Sequence, residues 1–263
     1  RLLGCMLRAA AWMCCAIPYG WRVTCSTFGA KPAEVYTVRT KFDRSMLPPA
    51  PDLTFEQALW RQGFLCVAGL DEAGRGALAG PVYAAAVILP MESDGLAEAL
   101  AGVRDSKQLT PRQREQLAPI IQMRALAWSV GWAEAAEIDQ LGIAPASRLA
   151  FCRALEGLRM PAEHLLLDYF RLPEVELAQT ALVKGDQRSL SIACASILAK
   201  TVRDAFMRAE EVQFPGYGFA QNKGYGTAKH RAALDALGPC LLHRRSFNLI
   251  KEAAGKVESF CRI

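Results

Sequence analysis

Four acidic residues in three separate segments could together hold a divalent cation. Asp71 and Glu72 are adjacent and follow a short apolar run, Asp168 ends a second run, and Asp186 comes soon after a third. Apolar runs of this length between Gly and Pro residues are typical of buried strands. If these strand ends meet, four carboxylates converge without any histidine or cysteine. Such an all-oxygen donor set favours Mg²⁺ or Mn²⁺ over zinc.

Each acid also has a simpler interpretation. A single Asp after a strand is usually a turn former, and this holds for Asp168 or Asp186 considered alone. Turn chemistry does not explain two acids against a buried strand, where charge is costly unless something positive holds it. A fifth acid, Asp204, follows Arg203 inside a predicted helix. We interpret it as a partner in a helix-surface salt bridge in preference to a metal ligand.

A glycine turn follows the acidic pair. Gly74, Arg75 and Gly76 precede Gly80 and Pro81. Glycine lacks a Cβ, so the N–H groups of such a turn are open to an approaching phosphate or sugar. The chain has no GxGxxG opening a helix, no Walker lysine pattern and no GxSxG elbow. The sequence therefore argues against dinucleotide binding, a P-loop and a serine nucleophile.

Tyr225 lies between two glycines in a basic stretch that contains Lys223, Lys229, His230 and Arg231. An aromatic ring among cations suits stacking on a sugar or base beside phosphate contacts. A core tyrosine in a turn would look the same, and the residues alone leave both interpretations open.

The elements that must position these residues alternate between strand and helix, which predicts one α/β domain. We predict strands over Val67–Leu70, Val82–Leu89, Ala125–Ala133, His164–Asp168 and Thr180–Val183. We predict helices over Leu53–Gln62 with Thr54 as N-cap, Gly95–Gly102, Pro111–Arg124 with Thr110 as N-cap, Glu137–Arg159 broken near Gly142–Pro145, and Leu190–Val212. The helical C-terminal part covers about 187–263.

The composition is that of a globular protein, and its charge distribution suits the binding of a polyanion. The chain has 263 residues, of which 52% are hydrophobic, enough for one sizeable core. No apolar run reaches the ~18 residues of a membrane span. Nine cysteines are scattered without zinc-ligand spacing, which predicts free thiols in the cytoplasm. Residues 46–183 carry 11 basic and 17 acidic residues, whereas residues 184–251 carry 11 basic and five acidic ones. The basic half would bind a polyanion; the alternative is that surface charge is unevenly distributed by chance.

Residues 1–45 differ from the rest of the chain. They hold four cysteines within the first 25 positions, and no acid precedes Glu34. Three interpretations compete: a targeting peptide, a binding arm, or sequence upstream of a true start at Met46. We favour the last, because globular patterning begins only after Met46, and we assign the catalytic domain to 46–263.

The motifs together resemble those of bacterial ribonuclease HII, the type 2 ribonuclease H family. The resemblance covers roughly Leu65 to Phe247 and is highly specific, because many motifs occur in the family's order. They are Asp71–Gly76 with Ala79–Val82, Asp105–Thr110, Glu137–Asp139 with Gly142–Ile143, Lys184–Asp186, Ala195–Lys200 with Arg203–Asp204, Gly224–Thr227 and His243–Phe247. The family often has a glycine after its third aspartate, where this chain has Tyr169.

The resemblance implies a ribonuclease H-like fold, with a mixed five-stranded sheet flanked by helices and a C-terminal helical segment. It implies that Asp71, Glu72, Asp168 and Asp186 are the catalytic metal ligands for Mg²⁺ or Mn²⁺. The substrate-binding residues that it implies are Gly74, Arg75, Gly76, Lys107 and Tyr225. The last of these would stack on the sugar at an RNA–DNA junction.

The implied reaction is two-metal hydrolysis of the RNA strand of RNA–DNA hybrids, with incision 5′ of single ribonucleotides embedded in duplex DNA. This activity belongs to ribonucleotide excision repair. The expected partner is the nucleic acid, with no membrane, and we expect a monomer. The first 45 residues are too short and irregular for the substrate-binding domain of ribonuclease HIII. A hybrid-binding protein that has lost catalysis is the second hypothesis, and a structural role with an incidental acidic turn is the third.

Overall fold

The computed structural model describes residues 42–43, 45, 47–91 and 95–252. The predicted N-terminal extension and the expected start at Met46 lie almost wholly outside this described part. The division of the chain at residue 46 therefore stays a prediction.

One mixed sheet forms the centre of the fold and confirms the expected architecture. Its strands are β1 (Val67–Ala73), β2 (Val82–Ile88), β3 (Ala127–Ala133), β4 (His164–Asp168) and β5 (Ala178–Leu182). Their spatial order is β3-β2-β1-β4-β5. The pairs β1–β2 and β2–β3 are antiparallel, whereas β1–β4 and β4–β5 are parallel. The carboxyl ends of β1, β4 and β5 therefore meet at one edge of the sheet.

Helices cover both faces of this sheet. They are α1 (Thr54–Trp60), α2 (Leu96–Ala99), α3 (Pro111–Arg124), α4 (Ala135–Leu141), α5 (Ile143–Glu156), α6 (Leu190–Glu210), α7 (Phe219–Asn222) and α8 (Ala228–Leu237). Residues of α5 pack in the core on one face, and residues of α3 and α6 pack in the core on the other. Among the described residues, no helix is both long and apolar enough to cross a membrane.

Small residues let α6 lie directly on the central strand. A Cβ on Gly69 of β1 would lie 2.3 Å from the carbonyl carbon of Ser191. The first turns of α6 are fully buried and rich in Ala and Ser. Because backbone meets backbone here, the helix is fixed against the strand that carries the acidic pair.

Several element boundaries differ from the prediction. β1 continues to Ala73, so Asp71 and Glu72 lie within its last residues and not beyond them. The N-cap of α1 is Leu53 and not Thr54, which is the first helical residue. The start of α3 is as predicted, because Thr110 and Gln113 form a reciprocal capping box ahead of Pro111.

Candidate active site

The acidic residues converge because two parallel strands end at the same level. In the β1–β4 ladder Leu70 pairs with Leu167, so Asp71 and Asp168 follow as the next residues of neighbouring strands. Asp186 lies in a 3-10 turn, Gly185–Gln187, that follows β5. The N–H of Gly185 donates to Oδ1 of Asp168 at 2.7 Å, which ties this turn to the end of β4.

The electrostatics show that these carboxylates interact. Burial, followed by the charge of Glu72, raises the pKa of Asp71 well above its usual range, and Asp168 and Asp186 add to this effect. Burial also raises the pKa of Glu72 and of Asp168. The pKa of Asp186 rises to about 6 through burial and the charges of Asp105 and Asp168. Like charges gathered in a half-buried site oppose full ionisation.

A lysine lies over this group of acids. Nζ of Lys107 is 3.6 Å from Oδ2 of Asp186 and 4.0 Å from Oδ1 of Asp105. The Lys107 side chain is 75% exposed, so solvent weakens these pairs. Carboxylates including Asp105 and Asp71 raise the pKa of Lys107 against the opposing effect of burial. Lys107 is thus a charged, accessible group at the rim of the acidic cluster.

The donor set fits a hard divalent cation, although its oxygens are not arranged around one. Oδ1 of Asp71 accepts the N–H of Glu72, and Oδ1 of Asp168 accepts that of Gly185. Oδ1 of Asp186 is buried without a hydrogen-bond partner. No group of three His, Cys, Asp or Glu side chains in the described ranges is gathered closely enough to hold a metal. A cation bound by these carboxylates would relieve their mutual repulsion.

The glycine turn lies directly beyond the acidic pair. Gly74 has φ +90°, and a Cβ placed on Gly76 would meet no atom within 4 Å. Arg75 is exposed, and its Nη1 lies 3.5 Å from Oε1 of Glu72. In the described part of the chain, the N–H groups of Arg75 and Gly76 donate to no protein acceptor. The turn therefore offers two unused donors beside the carboxylates.

Tyr225 joins this turn through backbone contacts. The carbonyl of Gly224 accepts the N–H groups of Leu78 and Ala79. The Tyr225 ring lies 5.3 Å from the guanidinium of Arg203 and 4.9 Å from Nζ of Lys200. The ring is half-buried, and the cations that contact it come from α6 and not from the basic stretch around Tyr225 that the sequence indicated. That one face of the ring is available to a ligand stays a prediction.

Asp204 differs from the expectation of a helix-surface salt bridge. It is buried, and its carboxylate pairs with Nη2 of Arg114 at 3.1 Å and with Nζ of Lys200 at 2.8 Å. The ion-pair part of the interpretation is confirmed, but the surface position is wrong. The helical spacing of the sequence could not show that Asp204 is buried, because its burial comes from α3, which covers the face of α6 that carries Asp204.

Three residues of the site had no assigned role at the sequence level. Asp105 is buried and helps to raise the pKa of Asp186. Arg203 is fully buried, and its guanidinium donates to the carbonyls of Ala79, Pro81 and Lys223. The guanidinium of Arg244 donates in the same way to the carbonyls of Gly74, Arg75 and Gly80. All three residues lie inside the motifs of the family resemblance, and that position is the signal by which the sequence could have pointed to them.

Tyr169, which replaces the family's frequent glycine, adopts a backbone conformation that favours glycine. Its φ is +73°, and the residue is 75% exposed. Its N–H donates to the carbonyl of Leu182 at 2.8 Å, which continues the β4–β5 pairing past Asp168. The turn after Asp168 therefore holds a residue type that fits its backbone conformation poorly.

Comparison with known proteins identifies the family of this chain. The family model described as ribonuclease HII matches residues 68–250. Ribonuclease HII of Synechococcus sp. (strain JA-3-3Ab) is 56% identical over 208 residues, which are 79% of this chain and 93% of that protein. Ribonuclease HII of Chloroflexus aurantiacus is 51% identical over 79% of this chain and 98% of its own. The crystal structure of ribonuclease H2 from Pyrococcus horikoshii OT3 aligns with TM-score 0.62 and 25% identity, over 73% of this chain and 98% of that one.

Proposed function

The chain belongs to the ribonuclease HII family, and from this membership we propose that it incises duplex DNA 5′ of a single embedded ribonucleotide. As a member it is a metal-dependent endonuclease that hydrolyses the RNA strand of RNA–DNA hybrids. The observation that carries the finer proposal is the placement of the glycine turn, with its two unused N–H donors, directly after Asp71 and Glu72.

We assign cation binding to Asp71, Glu72, Asp168 and Asp186. Three observations support this assignment. Asp71 and Asp168 follow paired residues of neighbouring strands, and the charges of Glu72, Asp168 and Asp186 help to raise the pKa of Asp71. Oδ1 of Asp186 is buried without a hydrogen-bond partner. When bound, two Mg²⁺ or Mn²⁺ ions supply an activated water and neutralise charge at the leaving 3′ oxygen. The products are a 3′-hydroxyl and a 5′-phosphate.

The chain's own residues orient the substrate. The N–H groups of Arg75 and Gly76 bind the 2′-hydroxyl, the group that distinguishes RNA from DNA at one nucleotide. Lys107 binds a phosphate beside the acidic cluster, since its exposed ammonium lies there already. The Tyr225 ring stacks on the sugar that follows the ribonucleotide. Selection and hydrolysis therefore use adjacent parts of one strand-to-turn segment.

We place the protein in the cytoplasm, acting as a monomer on nucleic acid. The thiols of Cys66, Cys194 and Cys240 form no disulfide, which suits a reducing compartment. Burial raises the pKa of the Cys66 thiol and of the Cys240 thiol, so neither is tuned as a nucleophile.

The test is a cleavage assay on a labelled duplex with one ribonucleotide, in the presence of Mg²⁺. We expect one nick 5′ of the ribonucleotide and no cutting of the matched all-DNA duplex. Equal cutting of both duplexes would reject the specificity. Binding of hybrid without cleavage would instead favour the second hypothesis, a binding protein that has lost catalysis.

A pair of variants assigns the reaction to the acidic cluster. Asp71→Asn should lower the rate at least ~10²-fold, because it removes a charged cation ligand. The matched control is Glu163→Gln. Glu163 accepts the N–H groups of Leu65 and Cys66 at the opposite end of the sheet, and its variant should keep the rate. Near-normal turnover of Asp71→Asn would overturn the assignment.

A further inference from the structure

Arg244 is a fully buried arginine that contacts the glycine turn from beneath. Its Nη2 donates to the carbonyl of Gly74 at 2.7 Å, its Nη1 to that of Arg75 at 2.8 Å, and its Nε to that of Gly80 at 2.9 Å. No ion pair of Arg244 with a carboxylate occurs among the described residues. A buried guanidinium is costly unless its donors are satisfied, and here backbone carbonyls satisfy them.

These bonds set the direction of the neighbouring N–H groups. A trans peptide is planar, so each carbonyl points opposite to the N–H of the next residue. Because Arg244 holds the carbonyls of Gly74 and Arg75 inward, the N–H groups of Arg75 and Gly76 are turned outward. These are the two donors without a protein acceptor, and the space at Gly76 is open. Arg244 thus turns both groups away from its own side of the turn.

Arg244 itself is held by contacts from other segments. The carboxylate of Asp139 accepts the N–H groups of Arg245 and Ser246 at 2.9 and 2.8 Å, and the Ser246 hydroxyl at 2.7 Å. The N–H of Arg244 donates to the carbonyl of Leu78 at 2.9 Å. The guanidinium is therefore presented to the turn by a segment that is fixed on both sides.

We propose that Arg244 is a positioning residue for ribonucleotide selection, because it orients the N–H groups of Arg75 and Gly76 toward the 2′-hydroxyl. This inference rests on the proposed function of the glycine turn. Arg244 touches no substrate and acts only through the backbone. Its replacement should therefore affect recognition of the ribose more than affinity for duplex DNA in general.

The test measures discrimination in binding with the full chain. Affinities for a duplex with one ribonucleotide and for the matched all-DNA duplex are measured with Ca²⁺ in place of Mg²⁺. We expect Arg244→Lys to lower the preference for the ribonucleotide duplex ~10-fold or more, with little change in all-DNA affinity. Lysine keeps the charge, but its compact ammonium cannot replace a planar fork that serves three carbonyls.

Two further variants keep the test decisive. Arg153→Lys is the matched control, because Arg153 also uses its fork on a carbonyl, that of Trp132, and on Glu137, at a distance from the turn. It should keep the preference. If Arg244→Lys does not fold, Asp139→Asn replaces it, and we expect a smaller loss of preference in the same direction.

The outcomes separate this inference from the proposed function. A folded Arg244→Lys that keeps the wild-type preference overturns the positioning role alone. Equal loss of affinity for both duplexes also overturns it, since that result indicates a general structural role. If the wild-type chain shows no preference for the ribonucleotide duplex, the proposed function of the turn fails, and the role of Arg244 fails with it.

Discussion

A Cβ atom on Gly74 would lie 1.8 Å from Nε of Arg203, which is fully buried and bonded to the carbonyl of Pro81. Gly74 also has φ +90°, which L side chains rarely adopt. We expect Gly74→Ala to lower the free energy of unfolding by ~2 kcal/mol or more, because strain and collision add. Chemical denaturation of both proteins measures this difference.

Gly76→Ala is the matched comparison, since a methyl group there meets no protein atom within 4 Å. Its stability should stay within ~0.5 kcal/mol of wild type. Its kcat/KM on a duplex with one ribonucleotide should nevertheless fall ~10-fold or more, because the methyl group occupies space needed by the substrate. Full activity of Gly76→Ala would show that no ligand approaches this turn closely.

Variants of Tyr225 distinguish stacking of its ring on the substrate from a simple role in the core. The ring lies beside Lys200 and Arg203, and stacking of a base or sugar on such a ring is worth ~1–3 kcal/mol. We expect Tyr225→Ala to lower kcat/KM on the embedded ribonucleotide by about 10- to 100-fold. Tyr225→Phe keeps the stacking face and should stay within about threefold of wild type. If both variants lose stability and keep activity, the tyrosine is a core residue in a turn.

Tyr169 predicts a stabilising substitution. With φ +73° and an exposed ring, it occupies a conformation that costs a non-glycine residue ~1 kcal/mol or more. Tyr169→Gly should therefore raise the free energy of unfolding by about 0.5–1 kcal/mol, as measured by urea denaturation. Tyr169→Ala removes the same ring but keeps Cβ, so it should give no gain. A gain of equal size in both variants would point to the ring and not to the backbone.

Two buried histidines form a neutral chain of hydrogen bonds next to Tyr225. Nδ1 of His230 lies 3.0 Å from the carbonyl of Tyr225, and the N–H of Cys240 donates to Nδ1 of His243 at 3.0 Å. A carbonyl only accepts and an N–H only donates, so His230 carries its proton on Nδ1 and His243 on Nε2. His243 then donates to Nε2 of His230 at 3.0 Å. A second proton would break this chain.

This arrangement predicts that His243 contributes a loss of stability in acid, which the carboxylates with raised pKa values oppose in the same pH range. Burial, together with the repulsion that would arise if His230 and His243 both carried a second proton, lowers the pKa of His243 from 6.5 to about 4. The stabilisation is present in full above pH 6.5 and is lost as pH falls from 6.5 to about 4, by about 3 kcal/mol in total. Denaturation curves between pH 7.5 and 4.5 measure the slope. His243→Gln should flatten it, whereas an unchanged slope would assign the acid sensitivity to other groups.

Local pattern was enough to predict most of the elements. The apolar runs bounded by Gly and Pro gave all five strands in order, and Thr110 with Pro111 gave the start of α3. Local pattern ended β1 too early, at Leu70, whereas the strand continues through Asp71 to Ala73 and is buried along almost its whole length. The two carboxylates lie inside the end of the strand, and burial raises the pKa of both Asp71 and Glu72.

The amino-acid sequence by itself determined the family, since its motifs depend on residue types and short spacings, and the resemblance to that family implied the mixed sheet and the carboxylates of the candidate site. Only the tertiary structure decided what holds the glycine turn. Arg203 and Arg244 bond to carbonyls more than 100 residues away, and backbone carbonyls carry no sequence signal. An arginine that binds them looks, in the sequence, like any other surface cation. Its burial depends on long-range packing, which places the C-terminal segment beneath the turn.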